Sequence, residues 1–439
     1  MLNRNLRPVI ILGGDDGALS IARSLSTAGI HVYAMNQPQA TIRYSRFCDW
    51  IDLPEATPSA SDGWCAYLLG RDSDHLQGAV LLAASDEGIE IIVEHRKSLS
   101  EKFLLDESNP AAQLCMLDKL STYRAAQEAG VPTPRFWIAG TRQEIEDLEH
   151  ELLFPLVLKP TLGHKFCRRF SGSYAVANNI DELLSAFDTA DYAGIRTFLV
   201  EMIPGLDDKL CSYYTYLDEK GNNLVDFTKR VIRRYPLNMG GSTYHVTDHV
   251  PDVQELGLAL FRHVSLRGVA NVEFKLDERD GKLKLIECNA RFTAADCLLV
   301  ESGLNLPLFV YNRLVGRPQE LASSYRMGLR LWKPAADFAA YRQLNKMGLL
   351  TLRAWIRSIM HPQLFPVFRW NDPLPSIISN VSRLRHAWFR LAHPRSAKAI
   401  VAKPIATTGL VQPASPSAAT GNSILPITQD QASRVSDAR

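Results

Sequence analysis

The chain has 439 residues, too many for one ordinary hydrophobic core, so its length favours two or three domains. Hydrophobic residues make up 46% and charged residues 22%, which is typical of a soluble globular protein, and a net charge of +2 argues against a dedicated nucleic-acid binder. Seven cysteines without a CxxC pair favour reduced thiols over disulfides or a zinc site, and no run of about 18 apolar residues could span a membrane, so we expect a cytoplasmic protein.

Residues 8 to 110 alternate strand and helix signals. Strands are predicted for PVIILGG, IHVYAM and AVLLAAS, and helices for ALSIARSLSTAG and EGIEIIVEHRKSL. This alternation is typical of a parallel sheet, so we predict an N-terminal βαβ domain over residues 1 to 112. The glycines here, Gly13, Gly14 and Gly17, do not give GxGxxG, which disfavours an oxidoreductase that binds a dinucleotide.

The middle portion is predicted to be α+β with mostly antiparallel strands. It opens with a helix over about 113 to 129, which ends at AGVPTP because the prolines cannot continue it. Two further helices are predicted, at IDELLSAFDTA and at about 252 to 266. Strands are predicted in LFPLVLKP, GSYAVANN, RTFLVEMIPG and two hairpins, KLCSYYTYLDEKGNNLVDFTKRVI and VANVEFKLDERDGKLKLIECNA.

The C-terminal part is basic and then of low complexity. Residues 333 to 398 contain eleven lysines and arginines against two aspartates. We predict a basic helical extension over residues 321 to 396. Residues 397 to 439 are rich in Ala, Ser, Thr and Pro and have little to bury, so we predict a disordered tail.

The second hairpin carries the main chemical signal. In NVEFKLD, Glu273 alternates with apolar residues, and in LKLIECNARF, Glu287, Asn289 and Arg291 stand at alternate positions. Pairing of the two strands can bring the carboxylates together, where they would repel unless a cation lay between them. Two carboxylates and an amide oxygen suit Mg²⁺ that is shared with substrate phosphates, and Arg291 could meet a phosphoryl oxygen. The alternative is a hairpin with one solvated polar face.

Two upstream segments could complete a nucleotide site. Lys159 ends the strand LVLKP just before a loop that includes Ser171 and Gly172, where a lysine and loop amides can hold phosphate. The strand LVEMIPG could offer main-chain groups of residues 201 to 203 to an adenine edge, and Asp208 could hold ribose hydroxyls.

As an ordered set, these segments resemble the ATP-grasp superfamily over about residues 8 to 320. The set comprises Lys119 before a helix that ends in GVPTP, then PLVLKP, the Gly/Ser loop, VEMIPG, NVEFKLD and IECNAR. Within it, FTKRVIRRYP followed by GGST is similar to carboxylate–amine ligases of the D-aspartate ligase type. The resemblance implies an ATP-grasp domain of two lobes over residues 113 to 320, after a pre-ATP-grasp βαβ domain.

The resemblance also implies roles for individual residues. Lys119 and Lys159 would contact the ATP phosphates, and Asp208 would bind ribose. Main-chain groups of Glu201, Met202 and Ile203 would face adenine, and Ser171 and Gly172 would belong to the phosphate loop. Glu273, Glu287 and Asn289 would hold Mg²⁺, or alternatively Mn²⁺, while Arg291 would stabilise the transferring phosphoryl group.

The reaction that the resemblance implies is ATP-dependent ligation. Family enzymes activate a carboxylate as an acyl phosphate, which an amine attacks, giving an amide, ADP and phosphate. The expected partners are a small carboxylate and a small amine, with no nucleic acid, and a homodimer is one expected assembly. The alternative is a nucleotide-binding sensor or scaffold without ligase turnover.

Two departures from the family pattern affect these expectations. Asn271 stands where several relatives have an arginine, so a second catalytic arginine would have to be Arg230 or Arg233, both of which a bulge could bring into the site. The loop GHKFCRRF is bulkier and more basic than usual. Its basic residues could face substrate or form a solvated lid.

The extension contains a basic amphipathic segment, LLTLRAWIRSIM. Its apolar residues form one helical stripe that includes Trp355, with Arg353 and Arg357 on the polar side. Such a helix can lie on an anionic membrane surface, which would make the protein peripheral to the membrane. The alternative is a helix that packs its stripe onto the catalytic body.

Overall fold

The computed structural model describes residues 6–14, 16–53, 59–170, 172–322 and 324–392, without the side chains of 384 and 386–392. The tail predicted over 397 to 439 lies outside this part of the chain. In the described part, three sheets and the helices around them form a mixed α/β and α+β fold.

The N-terminal sheet is parallel, as predicted, with strand order β3-β2-β1-β4. Its strands are β1 (Val9–Leu12), β2 (Val32–Met35), β3 (Asp49–Trp50) and β4 (Val80–Ala83). The helices are α1 (Asp16–Thr27), α2 (Ala60–Leu69), α3 (Asp86–Glu94) and α4 (Arg96–Ser100), with 3₁₀ turns at Thr41–Tyr44 and Arg71–Leu76. Strands β1 and β4 are wholly buried because helices cover both faces. Their C-terminal ends lie side by side, so the loops that follow reach the same edge of the sheet.

The single helix predicted over 113 to 129 is two helices, and that prediction was wrong. They are α5 (Pro110–Leu117) and α6 (Lys119–Glu128). Asp118 between them has an extended backbone (ψ 108°), and its carboxylate accepts a hydrogen bond of 2.8 Å from the amide of Ser121. An aspartate favours this capping arrangement over continued helix. The break places Lys119 in the first turn of α6.

A small antiparallel sheet follows, with order β5-β8-β6-β7. Its strands are β5 (Phe136–Trp137), β6 (Leu156–Pro160), β7 (Ala175–Ala177) and β8 (Thr197–Glu201). Its helices are α7 (Arg142–Asp147), α8 (Gly163–Cys167) and α9 (Ile180–Tyr192), with a 3₁₀ turn at Glu149–Glu151. The apolar face of α9 packs on this sheet in a separate small core.

The third sheet has seven strands in the order β13-β12-β9-β10-β11-β14-β15. They are β9 (Leu210–Leu217), β10 (Phe227–Tyr235), β11 (Gly241–Thr247), β12 (Gly268–Asp277), β13 (Lys282–Asn289), β14 (Arg330–Trp332) and β15 (Gln363–Leu364). The associated helices are α10 (Pro251–His263), α11 (Asp296–Ser302) and α12 (Leu306–Leu314), with a 3₁₀ turn at Asp207–Lys209. All the pairs are antiparallel except β14 with β15.

The C-terminal extension is mainly helical, with α13 (Pro334–Lys346), α14 (Leu352–Ile359) and α15 (Leu374–Ala392). It also supplies β14 and β15 to the large sheet. None of the helices within the described residues is long and apolar enough to cross a membrane.

One hydrophobic core joins the N-terminal sheet to the large sheet. It contains Val9 and Val32 from the first and Tyr214 and Phe227 from the second. A second core fills the space between the large sheet and helices α6 and α10. These two cores pack the N-terminal domain, α6 and α10 against the large sheet, which carries the predicted metal-binding residues. The boundaries proposed at residues 112 and 320 stay a prediction.

Candidate active site

The two predicted metal-binding carboxylates lie directly opposite each other. In the antiparallel pair of β12 and β13, Glu273 pairs with Glu287 and Asn271 pairs with Asn289. Opposite residues of such a pair point to the same face of the sheet, a few ångströms apart. The amide of Asn289 donates to Asn271 at 3.1 Å, which leaves the side-chain oxygen of Asn289 free to accept. The hairpin therefore brings both carboxylates and the amide oxygen together, as the sequence predicted.

A β-bulge in β13 ties the small sheet to this hairpin. The register shifts between Glu273 and Phe274, so that Ile286 is the extra residue. The Ile286 carbonyl accepts a hydrogen bond of 2.7 Å from Lys159 Nζ, which also donates to the hydroxyl of Tyr123 at 3.1 Å. Lys159 thus reaches from the end of β6 to the metal hairpin. Its burial, together with the nearby positive charge of Lys119, lowers its pKa to about 7.

Lys119 is the second predicted phosphate ligand, and it contacts the hairpin directly. Its Nζ lies 2.6 Å from Glu287 Oε1. The start of α6 is held in place because the Lys119 amide donates to the Thr161 carbonyl, just after β6, at 2.8 Å. Burial opposes ionisation of Glu287, but the charges of Lys119 and Lys159 outweigh it and lower the pKa of this carboxyl. Glu287 is therefore ionised and ready to meet a cation.

Arg291 connects the hairpin to the N-terminal sheet. Its Nε donates to Asp86 at 2.5 Å, and Asp86 begins α3 immediately after β4. Burial would raise the pKa of Asp86, but Arg291 overcomes it, so the pKa lies below its usual value. The sequence contained no signal for Asp86, because 205 positions separate it from Arg291.

Lys229, a member of the basic run in which the sequence favoured Arg230 and Arg233, lies in the same row as the carboxylates. One row of paired residues crosses five neighbouring strands of the large sheet, from β13 to β11. Its members, in order, are Glu287, Glu273, Ser212, Lys229 and Thr247. Their side chains therefore form one row on one face of the large sheet. Lys229 is 1% exposed, and its Nζ donates to the hydroxyl of Ser212 at 3.0 Å. Burial lowers the pKa of Lys229 because it penalises the charged form, and a bound anion would stabilise that form.

The structure corrects the prediction that Arg230 and Arg233 lie in the site. Arg230 pairs with Cys211, which in turn pairs with Phe274, so Arg230 projects from the sheet face opposite to Glu273, where it contacts Asp248. Arg233 is buried and forms two hydrogen bonds, of 2.7 and 2.8 Å, to the carboxylate of Asp337 in α13. The bulges expected in β10 are present, at 231 to 234, but they serve this buried pair.

The segment predicted to meet adenine is braced by other side chains. The carboxylate of Glu201 is held by Arg135 at 3.3 Å and by Arg279 at 2.7 Å. Lys275 donates to the carbonyls of Ile203 and Gly205, at 3.1 and 2.9 Å. The Glu201 side chain is therefore committed to structure, and only main-chain groups of this segment could meet a base.

The remaining predicted ligands lie at the rim of the site. Met202 is half-buried and packs against the second core, and Asp208 is exposed in the 3₁₀ turn before β9. Lys275, which braces the adenine segment, also binds Asn238 at 3.0 Å and was not predicted. Gly172 has a left-handed backbone (φ 124°) in the loop before β7. Ser171 lies outside the described residues.

The basic loop GHKFCRRF, for which the sequence left open substrate contact or a solvated lid, is tied to the N-terminal region by ion pairs. Its first part forms α8, and it contacts the N-terminal helix α3. His164 Nε2 lies 3.1 Å and Lys165 Nζ 3.0 Å from the carboxylate of Glu90. Arg168 lies 3.7 Å from Glu87. These contacts, which no sequence pattern indicated, tie the loop to α3.

The donor set fits Mg²⁺ and a polyphosphate. Within the described ranges, no group of three or more His, Cys, Asp or Glu residues could hold a metal alone. Two carboxylates and an amide suit Mg²⁺, which usually takes one or two protein carboxylates and completes its shell with phosphate and water. Lys119, Lys159, Lys229 and Arg291 surround them with the positive charge that phosphate oxygens require.

Comparison with known proteins agrees with this geometry. No protein-family model matches the chain. The chain is 26% identical over 365 residues to D-aspartate ligase of Enterococcus faecium, which covers 77% of this chain and 85% of that protein. Among solved structures, the biotin carboxylase–β,γ-ATP complex from Campylobacter jejuni is similar with a TM-score of 0.59 and 14% identity, over 74% of each chain.

A second structural neighbour carries metal and nucleotide. The biotin carboxylase domain dimer of Hydrogenobacter thermophilus 2-oxoglutarate carboxylase, solved with MgADP and bicarbonate, has a TM-score of 0.57 and 16% identity, over 75% of this chain and 74% of that one. At 14% and 16% identity, these two similarities show a shared fold.

Proposed function

We propose that this chain, which has the ATP-grasp fold and is a homologue of D-aspartate ligase, is an ATP-dependent ligase that joins a carboxylate to an amine. The observation that carries the proposal is the opposed pair of Glu273 and Glu287, with Lys119, Lys159 and Arg291 around it. A site that only bound a nucleotide would not need two facing carboxylates together with three cations.

In this proposal, each side chain of the site has a defined part. Glu273, Glu287 and Asn289 hold Mg²⁺ or Mn²⁺, and Lys119, Lys159 and the loop amides of residues 171 and 172 hold phosphate oxygens. Main-chain groups of Glu201, Met202 and Ile203 meet adenine, and Asp208 binds ribose. Bound magnesium ATP supplies the phosphoryl group that activates the carboxylate.

The chain's own residues position and neutralise the reacting groups. Lys119 and Glu287 are paired in the free protein, so metal on Glu287 would release the Lys119 ammonium for a phosphate oxygen. Lys229, in the same row as Glu273, takes the place proposed earlier for Arg230 or Arg233. Arg291 is held by Asp86 through Nε and by the Phe292 carbonyl through Nη1, so its Nη2 is the nitrogen assigned to a phosphate oxygen. No acid–base triad is required, because positioning and electrostatics supply most of the catalysis of phosphoryl transfer.

The partners that this proposal implies are a small carboxylate and a small amine, and no nucleic acid. We place the protein in the cytoplasm, with peripheral attachment to a membrane through the basic C-terminal helices. A homodimer is a further prediction, since one structural neighbour is a dimer.

The test is ATP turnover dependent on two substrates. Purified protein with magnesium ATP is screened against pairs of amino acids and small carboxylates for stimulated ADP release. We expect at least one pair to stimulate release, and Glu287→Gln to lower it by at least about a hundredfold, because one metal ligand loses its charge. The same variant should lose far less ATP affinity. Glu94→Gln, on the exposed side of α3, is the control and should behave as wild type.

The sensor alternative makes the opposite prediction. If no pair stimulates ADP release while ATP still binds, or if Glu287→Gln loses binding and turnover equally, the chain is a nucleotide-binding protein without ligase turnover.

A further inference from the structure

The exposed surface of the C-terminal extension carries no carboxylate. In the sequence, Asp337 and Asp372 are the only acidic residues between 333 and 392. Both are buried, at 0% and 1% exposure, and both are paired, with Arg233 and Arg23 respectively. Ionisable groups therefore give this surface positive charge only.

Several of its cations have no counterion. Arg342 and Lys346 on α13, and Arg353 and Arg357 on α14, are exposed and form no ion pair with any residue that the structure describes. A set of exposed cations without a single nearby exposed carboxylate from the same segment favours a negatively charged partner.

The inner side of α14 is anchored to the body of the protein. The indole of Trp355 donates to Asp337 at 2.9 Å and stacks on Tyr341, with ring centroids 5.0 Å apart. The Ser358 hydroxyl accepts a hydrogen bond from Arg233, and the Ser358 carbonyl accepts one from Tyr244, both at 2.8 Å. These contacts fix which side of the helix faces outward.

The outer side of α14 is apolar with a basic edge. Leu352, Ile356 and Met360 recur every four residues, and they are 51%, 44% and 75% exposed. Arg353 and Arg357 each follow one of them, so they form a neighbouring line about 100° further around the helix. The apolar stripe predicted from the sequence is therefore divided: Trp355 packs onto the body of the protein, whereas Leu352, Ile356 and Met360 are exposed to solvent.

The neighbouring part of the extension repeats this pattern. On α15, Leu374, Ile377 and Val381 are 54%, 50% and 47% exposed, and Trp370 just before the helix is 90% exposed. Trp and Leu side chains beside arginines are the composition of helices that lie in the headgroup region of a bilayer.

Other occupants fit this surface less well. A second copy would bring the same basic face against itself. Residues 393 to 439 contain five lysines and arginines against two aspartates, so they also carry like charge. Nucleic acid would match the arginines but would leave the line of Leu352, Ile356 and Met360 uncovered.

We propose that the outer face of α14 binds an anionic lipid surface, with its apolar line inserted at the headgroup level and Arg353 and Arg357 on lipid phosphates. This inference gives the attachment proposed above a defined surface and a defined partner. It does not depend on the ligase activity, because the face lies on the extension and contains none of the proposed site residues.

The test is co-sedimentation of the full chain with vesicles of phosphatidylcholine alone or with about one third phosphatidylglycerol. We expect binding to the anionic vesicles that weakens as salt rises, and little binding to the neutral ones. Arg353→Glu/Arg357→Glu should weaken anionic binding at least about tenfold, since each basic residue near the surface contributes to it. Ile356→Gln should also weaken it, because insertion needs the apolar line.

Matched controls lie on other surfaces of the molecule. Arg71→Glu/Lys97→Glu makes the same change in net charge at exposed positions of the N-terminal region, and Ile138→Gln changes an isoleucine that is 49% exposed. Both controls should bind vesicles as wild type does. ADP release, measured for every variant, should stay unchanged, so a failure of lipid binding is separable from a failure of the ligase.

Three results would overturn the proposal. One is no binding of wild type to anionic vesicles at low salt, and another is equal binding by Arg353→Glu/Arg357→Glu and its charge-matched control. The third is a dimer in sedimentation analysis that Ile356→Gln dissociates, because the face would then be covered by a second copy.

Discussion

Lys159 lies near two other basic side chains, Lys119 and Arg234. It is buried, and Lys119 and Arg234 add to the cost of its charge, which brings its pKa to about 7. Its Nζ donates to the Ile286 carbonyl and the Tyr123 hydroxyl, and a neutral amine can donate both hydrogen bonds as well as an ammonium group can. A polyphosphate would remove this conflict by supplying negative charge.

Binding of ATP should therefore be coupled to proton uptake by Lys159. The free-state pKa is about 7, and phosphate oxygens in the complex would raise it. Above about pH 7 the free lysine is mostly neutral and must gain a proton on binding, so affinity should fall as pH rises and should level off below about pH 7. Calorimetry at about pH 8.5, in buffers of different ionisation enthalpy, would measure the uptake.

The control for this coupling is a neighbouring lysine with a different environment. Lys159→Met should abolish the proton uptake as well as weaken binding, whereas Lys165→Met, at an exposed position on α8, should leave the uptake intact. If Lys159→Met took up as many protons on ATP binding as wild type does, another group would be the one that gains the proton.

At this scale, sequence reasoning succeeded where chain alternation decides the outcome. Glu273 and Glu287 alternate with apolar neighbours, and a short hairpin turn sets their register, so their meeting followed from the pattern. Lys229 and Arg230 point to opposite faces of β10. The sequence did not determine which face meets the site, because bulges shift the register of this strand and its neighbouring residues show no clear alternation. Asp86 and Tyr123 come from elements far away in the sequence, and only tertiary packing brings them in.

At the scale of elements, the break between α5 and α6 links local capping to the site. Asp118 caps α6 through the Ser121 amide, and the following residue, Lys119, reaches Glu287 at 2.6 Å. A continuous helix would turn Lys119 to another direction, since each residue advances the helix by about 100°. The helix propensity of residues 113 to 129 favours one continuous helix, but Asp118 at the N-cap position of α6 interrupts it.

Removal of this cap should therefore affect ATP use as well as stability. We expect Asp118→Ala to lower the free energy of unfolding by about 1 kcal/mol and to raise KM for ATP, because the first turn of α6 would fray and Lys119 would lose its position. Urea unfolding and ADP-release kinetics would measure the two effects. Thr141→Ala removes the comparable cap of α7, where Thr141 accepts from the Glu144 amide at 3.2 Å. It should cost similar stability with unchanged KM, and a KM effect of equal size in both variants would refute the role of the break.

On the scale of the whole molecule, the site exists because three sheets meet. The N-terminal sheet supplies Asp86, the small sheet supplies Lys159, and the large sheet supplies the carboxylates and Lys229. The βαβ and α+β alternation predicted these layers, but not that β14 and β15 of the extension would join the large sheet. Strands of two or three residues are too short for a periodic signal. In addition, β14 pairs with β11, at least 84 positions earlier in the chain, and β15 pairs with β14.

One buried carboxylate contributes many of the contacts between the extension and the large sheet. Asp337 at 0% exposure accepts from Arg233, Thr243, Trp332 and Trp355, at distances of 2.7 to 3.0 Å. These donors come from β10, β11, β14 and α14, so a single group organises four elements. Arg233 is therefore a structural residue, although its place in a basic run resembles that of a catalytic one.

Asp337→Ala should consequently destabilise the protein by about 3 to 5 kcal/mol, because the Arg233 guanidinium would stay buried without its anion. Replacing both partners, as Arg233→Met/Asp337→Leu, should recover much of that loss, since no charge is then buried without its partner. Urea unfolding followed by tryptophan fluorescence would measure the difference, because Trp332 and Trp355 both contact Asp337. Hydrogen exchange should quicken first in α13 and α14. If the double variant were as unstable as the single one, the loss would come from packing and from the other hydrogen bonds of Asp337, and not from the unpaired charge.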